Sequence, residues 1–258
     1  MKVVDTMAEL LETLAPSRRD DAPVGLVPTM GAFHDGHRSL FRAAREECET
    51  VVVSLFVNPA QFDAGSDLAG YPGDPTADAD LAEAAGVDLL FAPTVGEIYP
   101  PGFETWVEVE KLGRELEGAH RPGHFRGVAT ICLKLFNLVR PTYAYFGQKD
   151  AQQVAVLRRM IRDLHVDVTL RVLPTVRDPD GLALSSRNAL LSPDERARSL
   201  ALPRALATRD LDAARAALAG LDTDYVEVVD LDPPVLAAAV RIGSTRLIDN
   251  VVLDKEKP

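Results

Sequence analysis

Apolar and polar positions change their period along the chain, and the changes mark out elements. Val24 to Val27 is a short apolar run that ends in a loop carrying Pro28 and Gly31, and it predicts a strand. Arg38 to Glu47 predicts a helix, and Val51 to Val57 is a continuous apolar stretch of the kind a central parallel strand needs. Ala77 to Ala85 predicts a helix, Val87 to Ala92 a strand, Val128 to Leu138 a buried helix and Tyr143 to Phe146 another strand. Val154, Leu157, Ile161 and Leu164 recur at near-helical spacing, and Val166 to Leu173 closes the series as a strand. Strands alternating with helices imply a parallel sheet covered on both faces, with ligands bound outside the carboxyl ends of the strands. After about Pro174 the texture changes. Pro193 to Ala219 is rich in Ala, Arg and Asp and predicts helix. Tyr225–Val229, Ala237–Ile242 and Arg246–Leu253 predict strands turned at Pro233-Pro234 and Gly243-Ser244. The expected architecture is an α/β parallel-sheet domain over residues 1–174 and a smaller α+β domain over 175–258, with a cleft between them as a natural active site.

Composition narrows the possibilities. The 258 residues are 47% apolar and 26% charged, which allows a sizeable core. The formal net charge of -11 disfavours phosphate backbones and anionic lipid, so neither nucleic acid nor a membrane is an expected partner. No apolar run approaches the roughly 20 residues of a membrane helix, and the N-terminus has no apolar core of a secretory signal; a cytoplasmic protein is expected. Cys48 and Cys132 lie in helix-like stretches and form no metal-like pair, so both are expected as reduced, buried thiols.

Five segments carry chemistry. In Pro28-Thr29-Met30-Gly31-Ala32-Phe33-His34-Asp35-Gly36-His37 two of the chain's five histidines fall within four residues, where a strand gives way to a helix. A helix N-terminus offers free N–H groups and the positive end of a dipole, and imidazoles there can donate to charge on a triphosphate. Gly147-Gln148-Lys149-Asp150-Ala151-Gln152-Gln153 follows the next strand in the same way, with Lys149 as a point charge for phosphate and amides to orient a polar substrate. Arg177 to Asn188 holds Ser185-Ser186-Arg187 on a glycine-containing loop, a composition suited to clamping phosphate. Glu117 to Gly127 concentrates Arg121, Arg126, His120 and His124 in an acidic chain. Asn58 and Gln61 are the uncharged polar groups at the end of the most apolar strand.

His-x-Gly-His at a strand–helix junction resembles the nucleotidyl-transferring superfamily that includes class I aminoacyl-tRNA synthetases. Taken together, the five segments resemble the pantothenate synthetase (pantoate–β-alanine ligase) family. The likeness runs from Val27 to Asn250 and includes Tyr225–Asp230 and Arg241–Asn250. The resemblance implies a Rossmann-like domain with a smaller, lid-like C-terminal domain, usually dimeric. It implies ATP-dependent condensation of pantoate with β-alanine through pantoyl adenylate, with release of pyrophosphate and AMP. The competing enzyme class is another His-x-Gly-His nucleotidyltransferase, which needs neither the Arg-Pro-Gly-His-Phe nor the Ser-Ser-Arg-Asn segment.

Carried over residue by residue, the resemblance gives His34 and His37 the ATP phosphates, His37 also being the proton donor. Met30 and Gly31 would line the nucleotide and acyl site, and Gly147, Lys149, Asp150 and the backbone of Val176 would contact nucleotide. Leu184, Ser185, Ser186 and Arg187 would hold the triphosphate. Gln61 and Gln153 would bind pantoate with Asn58 nearby, and Arg121 and His124 would border the cavity. Three positions depart from the family. Gly73 follows Tyr71-Pro72 where arginine is usual, Leu184 stands where methionine is common, and the acidic pair expected to serve Mg2+ is reduced to Ala77 and Asp78. Asp78 is therefore the remaining candidate ligand, with ATP supplying most of the coordination.

Overall fold

A computed structural model describes residues 1–20, 22–62 and 73–254. The chain divides into two compact units. One comprises Met1–Phe33, His37–Phe146 and Val156–Leu173; the other comprises His34–Gly36, Gly147–Ala155 and Pro174–Pro258.

The first unit is built on a six-stranded sheet of order β1-β4-β3-β2-β5-β6. Its strands are β1 (Lys2–Val4), β2 (Val24–Thr29), β3 (Thr50–Leu55), β4 (Leu89–Phe91), β5 (Tyr143–Gly147) and β6 (Thr169–Leu173). The β1–β4, β4–β3, β3–β2 and β2–β5 pairs are parallel. Val51, Val52 and Val53 of β3 and Leu26 and Val27 of β2 are fully buried. Helices cover both faces of such strands, so no side of them needs to be polar. The Asp35–Glu47 helix contributes Leu40, Phe41 and Ala44 to this core, and the His124–Val139 helix buries Val128, Cys132, Leu135 and Val139 along one stripe. The second helix stops where Arg140 turns left-handed at φ 51°, and the Arg18 guanidinium donates to the carbonyl of Leu138 there.

The chain runs from β2 outward through β3 to β4, and β5 then returns to the opposite flank of β2. The reversal makes the carboxyl ends of β2 and β5 the switch point of the sheet, where α/β proteins hold ligands. Met30-Gly31 and Gln148-Lys149 follow those two strand ends.

The second unit contains an antiparallel meander of β7 (Asp222–Asp230), β8 (Pro234–Ile242) and β9 (Thr245–Val252). Seven of the nine residues of β8 are buried, packed with Leu202, Leu206, Ala214 and Leu218 of the preceding helices.

Several elements differ from the sequence expectation. The helical stretch expected over Pro193–Ala219 is three helices, Pro193–Ser199, Ala201–Leu206 and Leu211–Leu218. Arg209 takes a left-handed φ of 55° and Asp210 caps the last helix by accepting from Ala213 N–H, so the chain turns between them. The Val51–Val57 strand stops at Leu55, because Pro59 has no N–H for a ladder and starts a short 3-10 turn. Leu164 lies beyond the helix Ala151–Asp163 and is 52% exposed. Cys48 is buried one residue past its helix, and Cys132 is buried within one. Strand β1 and the Met7–Arg19 helix had no counterpart in the sequence expectation, although Thr6-Met7-Ala8-Glu9 is a capping signature and Thr6 Oγ1 accepts from Glu9 N–H at 3.2 Å.

Phe41 is fully buried between the first sheet and its helix layer. Phe41→Ala should destabilise the protein by about 3–5 kcal/mol, the usual cost of truncating a core phenylalanine. Denaturant unfolding measures it, and a loss below about 1 kcal/mol would mean the pocket refills.

Candidate active site

In the first unit a network of amides gathers five of the residues singled out in the sequence. Asn58 is 1% exposed and caps the 3-10 turn Pro59–Gln61, its Oδ1 accepting from Ala60 N–H at 3.2 Å. Its Nδ2 donates to Gln61 Oε1 at 3.0 Å and to the carbonyl of Gly127 at 3.1 Å. Gln61 Nε2 in turn points at Met30 Sδ, 3.0 Å away. His124 Nδ1 lies 2.9 Å from the carbonyl of Gln61, so that nitrogen carries the proton; Nε2 is then the acceptor for Arg121 Nη1 at 3.3 Å. Met30, Asn58, Gln61, Arg121 and His124 thus form one connected group.

Gly127 is what allows the His124–Val139 helix to lie so close, since a Cβ there would sit 2.3 Å from the carbonyl oxygen of Ala60. Tyr99 completes the group by donating to Asn58 Oδ1 at 2.9 Å, and burial pushes its hydroxyl up to about 12, so it stays a donor at neutral pH. Sequence reasoning missed Tyr99. It sits 41 residues from its partner, and no local spacing reveals that contact.

Asp78 is 4% exposed, and its two carboxylate oxygens accept from Ala32 N–H at 2.8 Å and Phe33 N–H at 2.6 Å. It therefore fixes the loop that follows β2 and Met30. Gly31 is required beside it: its φ is +89°, and a Cβ would lie 2.8 Å from Asp78 Oδ2. His37, in the first turns of the helix after this loop, packs its ring 5.2 Å from that of Phe33. Among the described residues no group of three or more His, Cys, Asp or Glu is arranged to hold a metal. The other departures are simpler. Gly73 is exposed and faces open space, whereas Tyr71 and Pro72 lie outside the described residues.

The second unit gathers the remaining candidates. Lys149 sits in the 3-10 turn Gln148–Asp150 directly after β5, with its ammonium 3.7 Å from Asp150 Oδ1. Lys149, Ser185 and Arg187 line one small crevice, together with Asn188, Arg246 and Asp249. The loop carrying the serines is closed on itself. Arg177 and Ala183 form an antiparallel bridge, Leu184 N–H donates to the Val176 carbonyl at 3.0 Å, and Ser185 Oγ accepts from Arg187 N–H at 3.3 Å. Ser186 opens the 3-10 turn Ser186–Leu190. Gln153 lies in the first turn of the Ala151–Asp163 helix and is half-buried.

His34 belongs to this second group. Burial pushes its imidazole below the ordinary value of 6.5, and the Lys149 charge adds to the effect against the opposing pull of Asp150, Asp35 and Asp178. The ring is therefore neutral at pH 7. Its Nδ1 accepts from Gly36 N–H at 3.1 Å, which leaves Nε2 as the protonated, donating nitrogen. Gly36 is needed for this turn, because a Cβ there would lie 2.8 Å from His34 Cε1.

A parallel sheet whose switch-point loops carry histidine and lysine belongs to the α/β class that binds nucleotides and similar anions. Comparison with known proteins is more specific. Residues 2–252 match the family described as pantoate-beta-alanine ligase. The chain is 50% identical to the pantothenate synthetase of Heliobacterium modesticaldum, covering 98% of this chain and 100% of that one. It is 46% identical to that of Geobacter sulfurreducens, with full coverage of both. The pantothenate synthetase of Thermus thermophilus superposes with a TM-score of 0.92 at 45% identity, over 98% of this chain and 99% of that one. The pantoate-beta-alanine ligase of Francisella tularensis, solved with beta-gamma ATP and beta-alanine, superposes at 0.87 with 33% identity, over 98% and 97%. The chain belongs to the pantoate–β-alanine ligase family and is a ligase.

The His34 geometry makes a direct prediction. Its imidazole should titrate with a midpoint below 6.5, followed by NMR of the ring Cε1–H and assigned by loss of that signal in His34→Gln. A midpoint above 6.5 would contradict the neutral, Nε2-donating ring.

Proposed function

We propose that this chain condenses pantoate with β-alanine in two steps driven by ATP. A pantoate carboxylate oxygen attacks the α-phosphorus, the bond to the β-phosphate bridging oxygen breaks, and pyrophosphate leaves with its electron pair. The amine of β-alanine then attacks the acyl carbon of pantoyl adenylate. The acyl C–O bond breaks, AMP departs, and the nitrogen loses a proton as the amide forms. Membership of the family across residues 2–252 carries this reading.

The roles of individual residues follow from their chemistry. Attack at phosphorus needs alignment and charge neutralisation more than covalent help. In the second unit Lys149, Ser185, Ser186 and Arg187 are proposed to hold the phosphates, with neutral His34 donating through Nε2 and with Gly147, Asp150, Val176 and Leu184 lining the nucleotide. His37, in the first turn of the Asp35–Glu47 helix, is proposed as the proton donor to the departing phosphate oxygen. Gln61, Arg121 and His124 of the first unit, with Gln153, are proposed to orient pantoate and β-alanine, Asn58 to hold Gln61 in place through its filled set of hydrogen bonds, and Met30 and Gly31 to line the acyl group. The amides match the hydroxyl and carboxylate groups of pantoate, and their mutual hydrogen bonds hold them oriented before substrate arrives.

Magnesium is proposed to enter as MgATP, held chiefly by phosphate oxygens. Both oxygens of Asp78 already accept backbone N–H groups, and each retains one lone pair for an auxiliary contact through water. From the resemblance we also infer a cytoplasmic homodimer. No helix of the described residues is long and apolar enough to cross a membrane.

AMP formation should require pantoate and β-alanine together. Omitting each in turn from an ATP reaction followed by chromatography of nucleotides tests this, and equal turnover without pantoate would end the ligase reading. In a magnesium titration at fixed ATP, Asp78→Asn should raise the half-saturating Mg2+ concentration, and because its NH2 would face a loop N–H the saturated rate should also fall, by roughly tenfold to a hundredfold, equivalent to about 1.4–2.7 kcal/mol. An unchanged midpoint removes Asp78 from the metal.

A further inference from the structure

We propose that Asn250 is a positioning residue that sets the backbone of Gln148 and Lys149, and through it the place of the Lys149 ammonium; the inference rests on the reading that Lys149 meets phosphate. Asn250 lies on β9 and is 5% exposed. Its Nδ2 donates to two successive carbonyls, those of Gln148 at 3.0 Å and Lys149 at 2.8 Å. Its Oδ1 accepts from Gln148 Nε2 at 3.2 Å, and its own N–H donates to Asp249 Oδ1 at 2.8 Å.

Gly147 brings no side chain to the end of β5, and a Cβ there would meet no atom within 4 Å. Gln148–Asp150 is a single 3-10 turn, and the Lys149 side chain is a flexible four-carbon stem. The ammonium therefore depends on its backbone, which Asn250 holds, and on its ion pair with Asp150. The residue type is dictated. Only a side-chain amide offers two N–H groups and one carbonyl at this reach, whereas aspartate would turn acceptors toward two carbonyl oxygens.

Asp249 extends the same device to the serine loop. It is 2% exposed and accepts from Arg177 Nη1 at 2.6 Å and Nη2 at 3.0 Å. Arg177 also donates to the Gly181 carbonyl at 3.1 Å, within the loop that ends in Ser185-Ser186-Arg187. Two adjacent residues of β9 thus hold two of the segments proposed to contact the triphosphate.

The test compares wild type, Lys149→Ala, Asn250→Ala and Asn250→Asp by steady-state kinetics in ATP and in pantoate, with thermal unfolding alongside. Misplacing a phosphate-binding cation by an ångström can cost up to about 10²-fold, so both Asn250 variants should raise the ATP KM at least about fivefold and lower kcat. The pantoate KM should stay within about twofold, a split that a general loss of structure would not give. Wild-type ATP KM and kcat in a folded Asn250→Ala overturn the inference, and so does an equal rise in both KM values. If neither Asn250 variant folds, Gln148→Ala replaces them, since it removes only the amide–amide bond. A raised ATP KM with unchanged pantoate KM then supports the inference, and an unchanged ATP KM overturns it. Wild type that forms no AMP, or a Lys149→Ala enzyme with normal ATP KM, instead overturns the reading of Lys149 itself.

Discussion

Parallel strands must be covered on both faces, and this constraint decides where polar chemistry can sit in the first unit. β2 and β3 carry no titratable group, their only polar side chains being the hydroxyls of Thr29, Thr50 and Ser54, and the amide and charged side chains begin where the strands end. Met30-Gly31 follows β2, Asn58 and Gln61 follow β3, and Gln148-Lys149 follows β5. The reversal of strand order between β2 and β5 makes those ends the switch point of the sheet, the place where α/β proteins hold ligands.

Loops at a sheet edge are disposed to move, and catalysis by alignment cannot tolerate that. Buried side chains that bond to backbone groups solve the problem repeatedly here. Asp78 grips two N–H groups after β2, Asn58 caps the turn after β3, and Asn250 grips two carbonyls after β5. A buried carboxylate or amide in such a place is fully satisfied only in one loop conformation, so the penalty for leaving it unsatisfied works as rigidity. Gly31, Gly36 and Gly127 are the complement: each clears the space into which a neighbouring group must come.

The fold was legible from the sequence where burial writes a simple pattern. Val51-Val52-Val53 reads as a central strand, and Tyr225–Val229, Ala237–Ile242 and Arg246–Leu253 read as the three strands of the meander. The candidate residues were legible as local clusters at strand ends. What was not legible is long-range. Nothing near Tyr99 announces Asn58, nothing near Asn250 announces Lys149, and only the fold reveals that Asp78 commits both oxygens to backbone. The sequence also suggested one helical stretch over Pro193–Ala219, because Ala and Arg favour helix throughout it. The break at Arg209 depends on a left-handed residue and a cap that propensity alone does not weigh.

Adenylate formation begins when pantoate attacks the α-phosphate of ATP. Isotope transfer tests that step directly. With pantoate labelled with ¹⁸O in its carboxylate, mass spectrometry of the products should find one labelled oxygen in AMP and none in pyrophosphate, since the attacking oxygen remains on phosphorus when the amide forms. Label appearing in inorganic phosphate, or absent from AMP, would contradict the adenylate route.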